Sequence, residues 1–156
     1  MIRRAGEADM GRLNAALARL SEDLGDAHAA RTEAVEAACL GPHPACHGLL
    51  AEEGAQVVAA ALLSPVFSTV RGGAGTYVSD LWVAPERRGA GLGRRMLGAA
   101  ARLGHRLWRG RFLKLAVYEG SAAARAFYTG LGFREVTEER VMVLDASEYS
   151  RLERAP

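Results

Sequence analysis

Three glycines at alternate positions, Gly89, Gly91 and Gly93, stand between a β-rich segment and an amphipathic one, and this junction restricts the fold more than any other part of the chain. Upstream, Thr76-Tyr77-Val78-Ser79-Asp80-Leu81-Trp82-Val83 is rich in β-branched and aromatic residues and predicts a strand that ends before Pro85. Downstream, Leu92, Met96, Ala99, Ala100, Leu103 and Leu107 recur at three- and four-residue steps and predict a helix with one buried face. A further strand is expected over Phe112 to Tyr118. Strand, tight turn, helix and strand make a crossover that returns the chain in the direction it left, so the two strands pair in parallel.

The flanking segments extend this pattern. Met10, Leu13, Leu17 and Leu20 predict a helix over about Glu7 to Leu20, and a second is expected from Ala29 to Leu40, stopped by Gly41-Pro42. Two apolar runs, His47 to Ala51 and Gln56 to Phe67, predict strands joined by a hairpin turn at Glu52-Glu53-Gly54. Gly72 to Gly75 reads as a break. A short helix is expected over Ser121 to Thr129, opened by a serine cap, and one or two closing strands over Val136 to Leu144. The expected fold class is mixed α/β: two N-terminal helices, then a largely antiparallel sheet with a central parallel pair, in one domain of 156 residues.

Composition excludes several classes of function. With 49% hydrophobic and 24% charged residues the chain is neither a disordered tail nor a membrane span. The formal charge is only +2 and Lys114 is the only lysine, an arginine bias that reads as genome base composition, so no nucleic acid partner is expected. Cys39 and Cys46 form no CxxC or paired framework, and His28, His43, His47 and His105 have no metal-binding spacing; no metal is expected. The charged start Met1-Ile2-Arg3-Arg4 carries no signal-peptide pattern and no run is long enough to span a bilayer, so a cytoplasmic protein without membrane contact is expected.

The glycine turn carries the chemistry. Free amides at a helix start point outward with partial positive charge and suit a phosphate or pyrophosphate, with Arg88, Arg94 and Arg95 beside them; the alternative is a tight turn whose glycines serve sterics alone. A P-loop would need Gly-Lys-Ser/Thr, and the dinucleotide fingerprint a third glycine where leucine or arginine stands. The spacing Arg88-x-x-Gly91-x-Gly93 after a strand resembles instead the acetyl-coenzyme A signature of the GCN5-related N-acetyltransferases (GNAT). Ala124-Arg125-Ala126-Phe127-Tyr128-Thr129-Gly130-Leu131-Gly132-Phe133 resembles the same family's second motif. Gly41-Pro42-His43-Pro44-Ala45-Cys46-His47, Tyr77 to Val83 and Leu144 to Tyr149 are similar to its spermidine/spermine and thialysine branch.

The resemblance implies a fold in which the coenzyme lies in a V between two splayed parallel strands. It implies cofactor contacts from Leu81, Trp82, Val83, Arg88, Gly89, Ala90, Gly91, Leu92, Gly93, Arg94, Ser121 and Tyr128. The Val83 amide would face the thioester oxygen and Tyr128 would protonate the departing sulfur. The glutamate usual on this strand is Ser79 here, which leaves Asp80 as candidate base only if a bulge re-aims it, with Glu22, Asp23 or Glu119 through water as alternatives. Glu22 and Asp23, with Ser79, are the expected substrate contacts. The expected activity is acetyl transfer from acetyl-CoA to a primary amine of a small molecule (polyamine, diamine or amino acid), in a possible homodimer. The alternatives are a protein N-terminus or lysine as acceptor, or an impaired coenzyme-binding sensor.

Overall fold

The computed structural model describes residues 1–155, which divide into two compact units, Met1–Tyr118 and the residues from Glu119 on. The first unit holds β1 (Ile2–Arg4), α1 (Met10–Leu24), α2 (Thr32–Leu40), β2 (His47–Glu53), β3 (Gln56–Ser68), β4 (Gly73–Val83), α3 (Leu92–Trp108) and β5 (Leu113–Leu115). Its five strands lie in the order of the sequence; the first four pair antiparallel and β4 pairs with β5 in parallel. The second unit holds α4 (Ala122–Gly130) and α5 (Ala146–Glu153). No helix among the described residues is long and apolar enough to cross a membrane.

Helices cover both faces of the sheet, so central β3 is buried on both sides: Val58, Ala59, Ala60, Ala61 and Leu63 are each at most 3% exposed. Small residues there let helices approach closely. On one face Leu13 of α1 sits on Gly48, where a Cβ would come within 2.4 Å of its Cδ2. On the other, Gly104 of α3 sits on Thr76, where a Cβ would come within 1.7 Å of Oγ1. An ionic knot closes the sheet's first edge. Arg3 donates to both Asp9 oxygens at 2.6 and 2.8 Å and to both Glu52 oxygens at 2.8 and 3.0 Å, and Arg12 adds a 2.7 Å bond to Glu52.

Several expectations change. β1 was not anticipated, because three residues carry too little pattern. β4 begins at Gly73: of the glycines expected to break the chain, Gly72 does turn it, at φ 67°, but Gly73 and Gly75 are in the strand, and Gly75 is there because the Phe112 ring lies 2.5 Å from where its Cβ would be. α1 runs on to Leu24 and stops at left-handed Gly25, φ 76°. β5 is only three residues long, and Leu107 is 41% exposed as the last turn of α3 rotates away from the core. Val136 to Leu144 forms no strand; Val141, Met142 and Val143 are 85%, 93% and 81% exposed. A β-prone run becomes a strand only when a neighbour completes its ladder, and the described residues of the second unit supply none.

Candidate functional site

The turn after β4 is shaped by glycine where glycine is needed. Gly89 and Gly91 take left-handed φ values of 76° and 77°, with open space where a Cβ would project. Gly91 is the N-cap of α3, with no capping side chain and no acid in the first turn. The first helical bond of α3 runs from the Arg95 N–H to the Gly91 carbonyl at 3.1 Å, so the amides of Leu92, Gly93 and Arg94 have no partner in the helix. Arg94 and Arg95 are exposed beside them. Cations at a helix N-terminus oppose its dipole, an arrangement that an anion in the turn would reverse.

β4 presents an open edge beside this turn. Its parallel register with β5 ends at Val78↔Leu115, while β4 continues to Val83. Ala84 donates to the Val58 carbonyl at 2.9 Å, which makes Val83↔Ala59 a pair without mutual hydrogen bonds. The Val83 N–H and C=O therefore point away from β3, into the gap that β5 has left. The Val83 carbonyl accepts a 2.9 Å bond there from Arg88 Nε. Arg88 thus lies at the gap rather than over the glycines, and its second arm grips Asp23 Oδ2 at 2.6 Å.

A bulge in β4 decides which carboxylate joins the site. Leu62 pairs with Asp80 and Leu63 with Val78, leaving Ser79 as the extra residue. Paired residues share a face, so Thr76 and Val78 face α3 whereas Asp80 and Trp82 face α1; strict alternation would have put all four together. Ser79 is exposed and its hydroxyl donates to the Leu62 carbonyl at 3.3 Å. On the α1 face the Tyr118 hydroxyl donates to Asp26 Oδ2 at 2.7 Å, and this bond, with a smaller push from Asp80, raises the phenol's pKa. Cys46 also feels Asp80: burial first, then its bond to Cys39, push its thiol up to about 12.

Beyond Trp82 a cavity of about 280 Å³ is lined by Arg19, Glu22, Asp23, Trp82, Ala84, Pro85 and Glu86. Arg19 lies 5.5 Å over the Trp82 ring, and the Trp82 Nε1, buried, has no hydrogen-bond partner. Glu22 and Asp23 belong to the last turn of α1 instead of the loop between the helices. Sequence reasoning missed Arg19, Glu86 and the Arg88–Asp23 pair. Arg19 carries a local signal, standing one helical turn before Asp23, whereas a partner 65 residues away leaves none. It also missed that Cys39 and Cys46 come together, their sulfurs 3.5 Å apart. Among the described residues no three His, Cys, Asp or Glu side chains are grouped to hold a metal ion.

Ser121 and Tyr128 lie in the second unit. Ser121 is the N-cap of α4, but its side chain makes no capping bond. Tyr128 packs edge-on between Phe127 and Phe133, with ring centroids at 5.1 and 5.4 Å, and burial raises its pKa, so the phenol keeps its proton.

Comparison with known proteins agrees with this geometry. The family model for the acetyltransferase (GNAT) family matches residues 14–133. Thialysine N-epsilon-acetyltransferase of Bos taurus is 33% identical over 149 residues, covering 88% of this chain and 86% of the bovine protein. The protein of that name from Sus scrofa is 31% identical over 148 residues, with the same coverage of both chains. The solved structure of the integron cassette protein VCH_CASS6, from the mobile metagenome of V. cholerae, superposes with a TM-score of 0.78 over 99% of this chain and 98% of its own, at 17% identity, a likeness of fold alone.

Proposed function

This chain belongs to the acetyltransferase (GNAT) family and is an acetyltransferase, and from that premise we propose that it moves an acetyl group from acetyl-CoA to a primary amine of a small molecule: a polyamine, a diamine or an amino acid. The observation that carries the reading is the unpaired Val83 edge beside the uncapped start of α3. Acetyl-CoA supplies a reactive thioester and a pyrophosphate. The residues fit both: the Leu92, Gly93 and Arg94 amides with Arg94 and Arg95 for the phosphates, and the Val83 N–H for the carbonyl oxygen, where one such donor is worth roughly 3 kcal/mol. Leu81, Trp82, Gly89 and Ala90 line the same strand end and turn.

The acceptor amine enters from the α1 face. Asp80, turned there by the bulge, is the proposed base or the anchor of a water that takes the proton; Ser79 has no carboxylate and is spent on the Leu62 carbonyl. Glu22 and Glu86 supply charge for an ammonium group, whereas Asp23 is already balanced by Arg88. The acid role assigned to Tyr128, and a cofactor contact from Ser121, rest on the family resemblance. So does a homodimer, while a cytoplasmic setting is proposed from the sequence alone. The bovine relative's name points to an amino acid with a side-chain amine, and thialysine and lysine are the first acceptors to assay.

The test is a titration with acetyl-CoA followed by a steady-state assay of CoA release against thialysine, lysine, spermidine, diamines and peptides. Micromolar coenzyme binding with turnover on a small amine is expected. Binding with turnover on peptides alone moves the acceptor to protein, binding with no turnover leaves a sensor, and no binding at millimolar coenzyme refutes the reading.

A further inference from the structure

The positive charge of this chain is segregated. Nine of the twenty lysines and arginines fall within residues 87–118, a stretch of 32 residues without one carboxylate, while the other eleven share the rest of the chain with all eighteen acids. A coding bias explains why these cations are arginines but not why acids are excluded from among them. Arg88, Arg94 and Arg95 belong to the turn already described. Arg87 pairs with Glu53, and Arg102, Arg106, Arg109 and Arg111 collect toward the far end of α3, Arg106 standing thirteen residues and about 20 Å along the helix from Gly93.

A cavity of about 550 Å³ opens there. Arg102, His105 and Arg106 line it from α3, and Arg111 and Phe112 from the loop that follows. Among the described residues none of Arg102, Arg106, Arg109 and Arg111 takes part in an ion pair. The loop that carries Arg109 and Arg111 is pinned on both sides. The Gly110 N–H bonds to the Gly104 carbonyl at 3.2 Å, the Arg111 N–H to the Ala74 carbonyl at 2.9 Å, and the Phe112 carbonyl accepts from the Thr76 N–H at 2.9 Å. Arg109 holds φ 56°, the one left-handed non-glycine residue among those described, a conformation that its neighbour Gly110 would take at less cost. Arg71 adds a further guanidinium, 5.2 Å over the Phe112 ring.

The C-terminal dipole of α3 accounts for His105 and Arg106, which lie in its last turn. It does not account for Arg102, or for Arg111 and Arg71, which are outside the helix. Bare guanidinium groups brought together on a rigid frame repel one another until an anion joins them, and their planar forks match phosphate oxygens two at a time. The volume is that of a small-molecule site. A ligand of that size that balances three or more cations needs its charges on adjacent groups, which linked phosphates provide.

We infer that this cavity is an anion site separate from the acetyl-transfer site, taking a small ligand with three or more negative charges on linked phosphates, free or carried on a nucleoside. The test is calorimetric titration of the full chain, pre-saturated with CoA, with sodium tripolyphosphate and separately with ATP at low salt. One further saturable site is expected for tripolyphosphate. It should weaken at least tenfold in the double variant Arg102→Gln, Arg106→Gln and again in Arg111→Gln, with CoA affinity unchanged. It should persist in Arg94→Gln, Arg95→Gln without CoA, so the outcome stands apart from the acetyl-transfer reading. ATP bound tenfold more tightly than tripolyphosphate assigns the site to nucleotides, and equal affinity assigns it to the polyphosphate chain. The inference fails if no second site is seen, if citrate binds as well as tripolyphosphate, or if the arginine variants bind like the parent chain.

Discussion

Replacing glycine by alanine at two places on α3 should change stability in opposite directions. In a helix the exchange normally stabilises by up to about 1 kcal/mol, because alanine restricts the unfolded chain and suits helical angles. Gly98 should follow that rule: its nearest neighbour, the flexible end of Arg102, stands 3.4 Å from where a Cβ would be. Gly104 should break it. A Cβ there would lie 1.7 Å from Thr76 Oγ1 and 3.0 Å from Thr76 Cβ, and Thr76 is 1% exposed with nowhere to retreat. Helix and strand must part by more than an ångström, and overpacking of that kind costs about 1–3 kcal/mol or more, which outweighs the helical gain. The expected net effects are about +0.5 kcal/mol for Gly98→Ala and about −2 kcal/mol for Gly104→Ala. For a chain of this size that is a rise in Tm of about 1–2 °C against a fall of about 4–8 °C. Urea denaturation checks both values. Thr76→Ala removes Oγ1, so in the double variant Gly104→Ala should cost about 1 kcal/mol less than it does alone. If Gly104→Ala stabilised as much as Gly98→Ala, α3 could not be seated on Thr76, and the placement of the turn at its other end would lose its support.

Gly91→Ala meets open space but a left-handed backbone, so stability should fall by about 1 kcal/mol, whereas acetyl-CoA affinity should fall tenfold or more as the first amides of α3 turn away; an unchanged Kd in a direct titration removes them from the site. Asp9 is held well below the usual carboxylate range, first by Arg3 and then by the Gly6 N–H. A depressed folded pKa gives stability that is complete above the unfolded value near 4 and is lost as the pH falls toward the folded one. Asp9→Asn should therefore cost about 2 kcal/mol at pH 7 and progressively less below pH 4, read from urea midpoints between pH 3 and 7. Asp80→Asn should lower kcat tenfold or more at neutral pH with little change in coenzyme affinity, and an unaltered kcat eliminates it as base. Tyr128→Phe should lower kcat by about a hundredfold and leave the Kd for CoA within a factor of a few; equal kcat removes the phenol from the acid role.

What could be read from the chain were features that one segment carries alone. The strand, glycine turn and helix around Gly89 to Gly93 were legible because φ, hydrogen bonding and apolar periodicity all act within about thirty residues. The parallel pairing of β4 with β5 followed from the crossover that joins them, but among the described residues the pair lies at the edge of the sheet and not at its centre, because no further strand pairs with β5. Whatever depended on a distant partner was not legible. The seat of Leu13 on Gly48, the bond from Arg88 to Asp23 and the meeting of Cys39 with Cys46 are products of packing, and nothing in their local sequence distinguishes them. Val136 to Leu144 erred in the other direction. Its β-propensity is local, but a ladder needs a second strand, and propensity does not supply one.

The bulge at Ser79 shows why one residue of register matters to the chemistry. The first part of β4 is locked with Thr76 toward α3, because Gly104 leaves room for Thr76 and for little else. The last part is locked with Trp82 toward α1, under the Arg19 guanidinium. Thr76 and Trp82 are six residues apart, and an even spacing on a regular strand would place both on one face. The two locks are compatible only if one residue is set aside between them, and Ser79 is that residue. Asp80 follows the extra residue and so turns with Trp82, toward the side where the acceptor amine is proposed to bind. Deleting Ser79 would leave Thr76 and Trp82 five residues apart, an odd spacing at which a regular strand satisfies both locks and keeps Asp80 on the α1 face. The deletion variant should therefore stay folded and keep transferring acetyl groups. Far-UV circular dichroism with the CoA-release assay checks this, and a deletion variant that unfolds, or that folds but no longer transfers, would show that the bulge does more than reconcile the two locks.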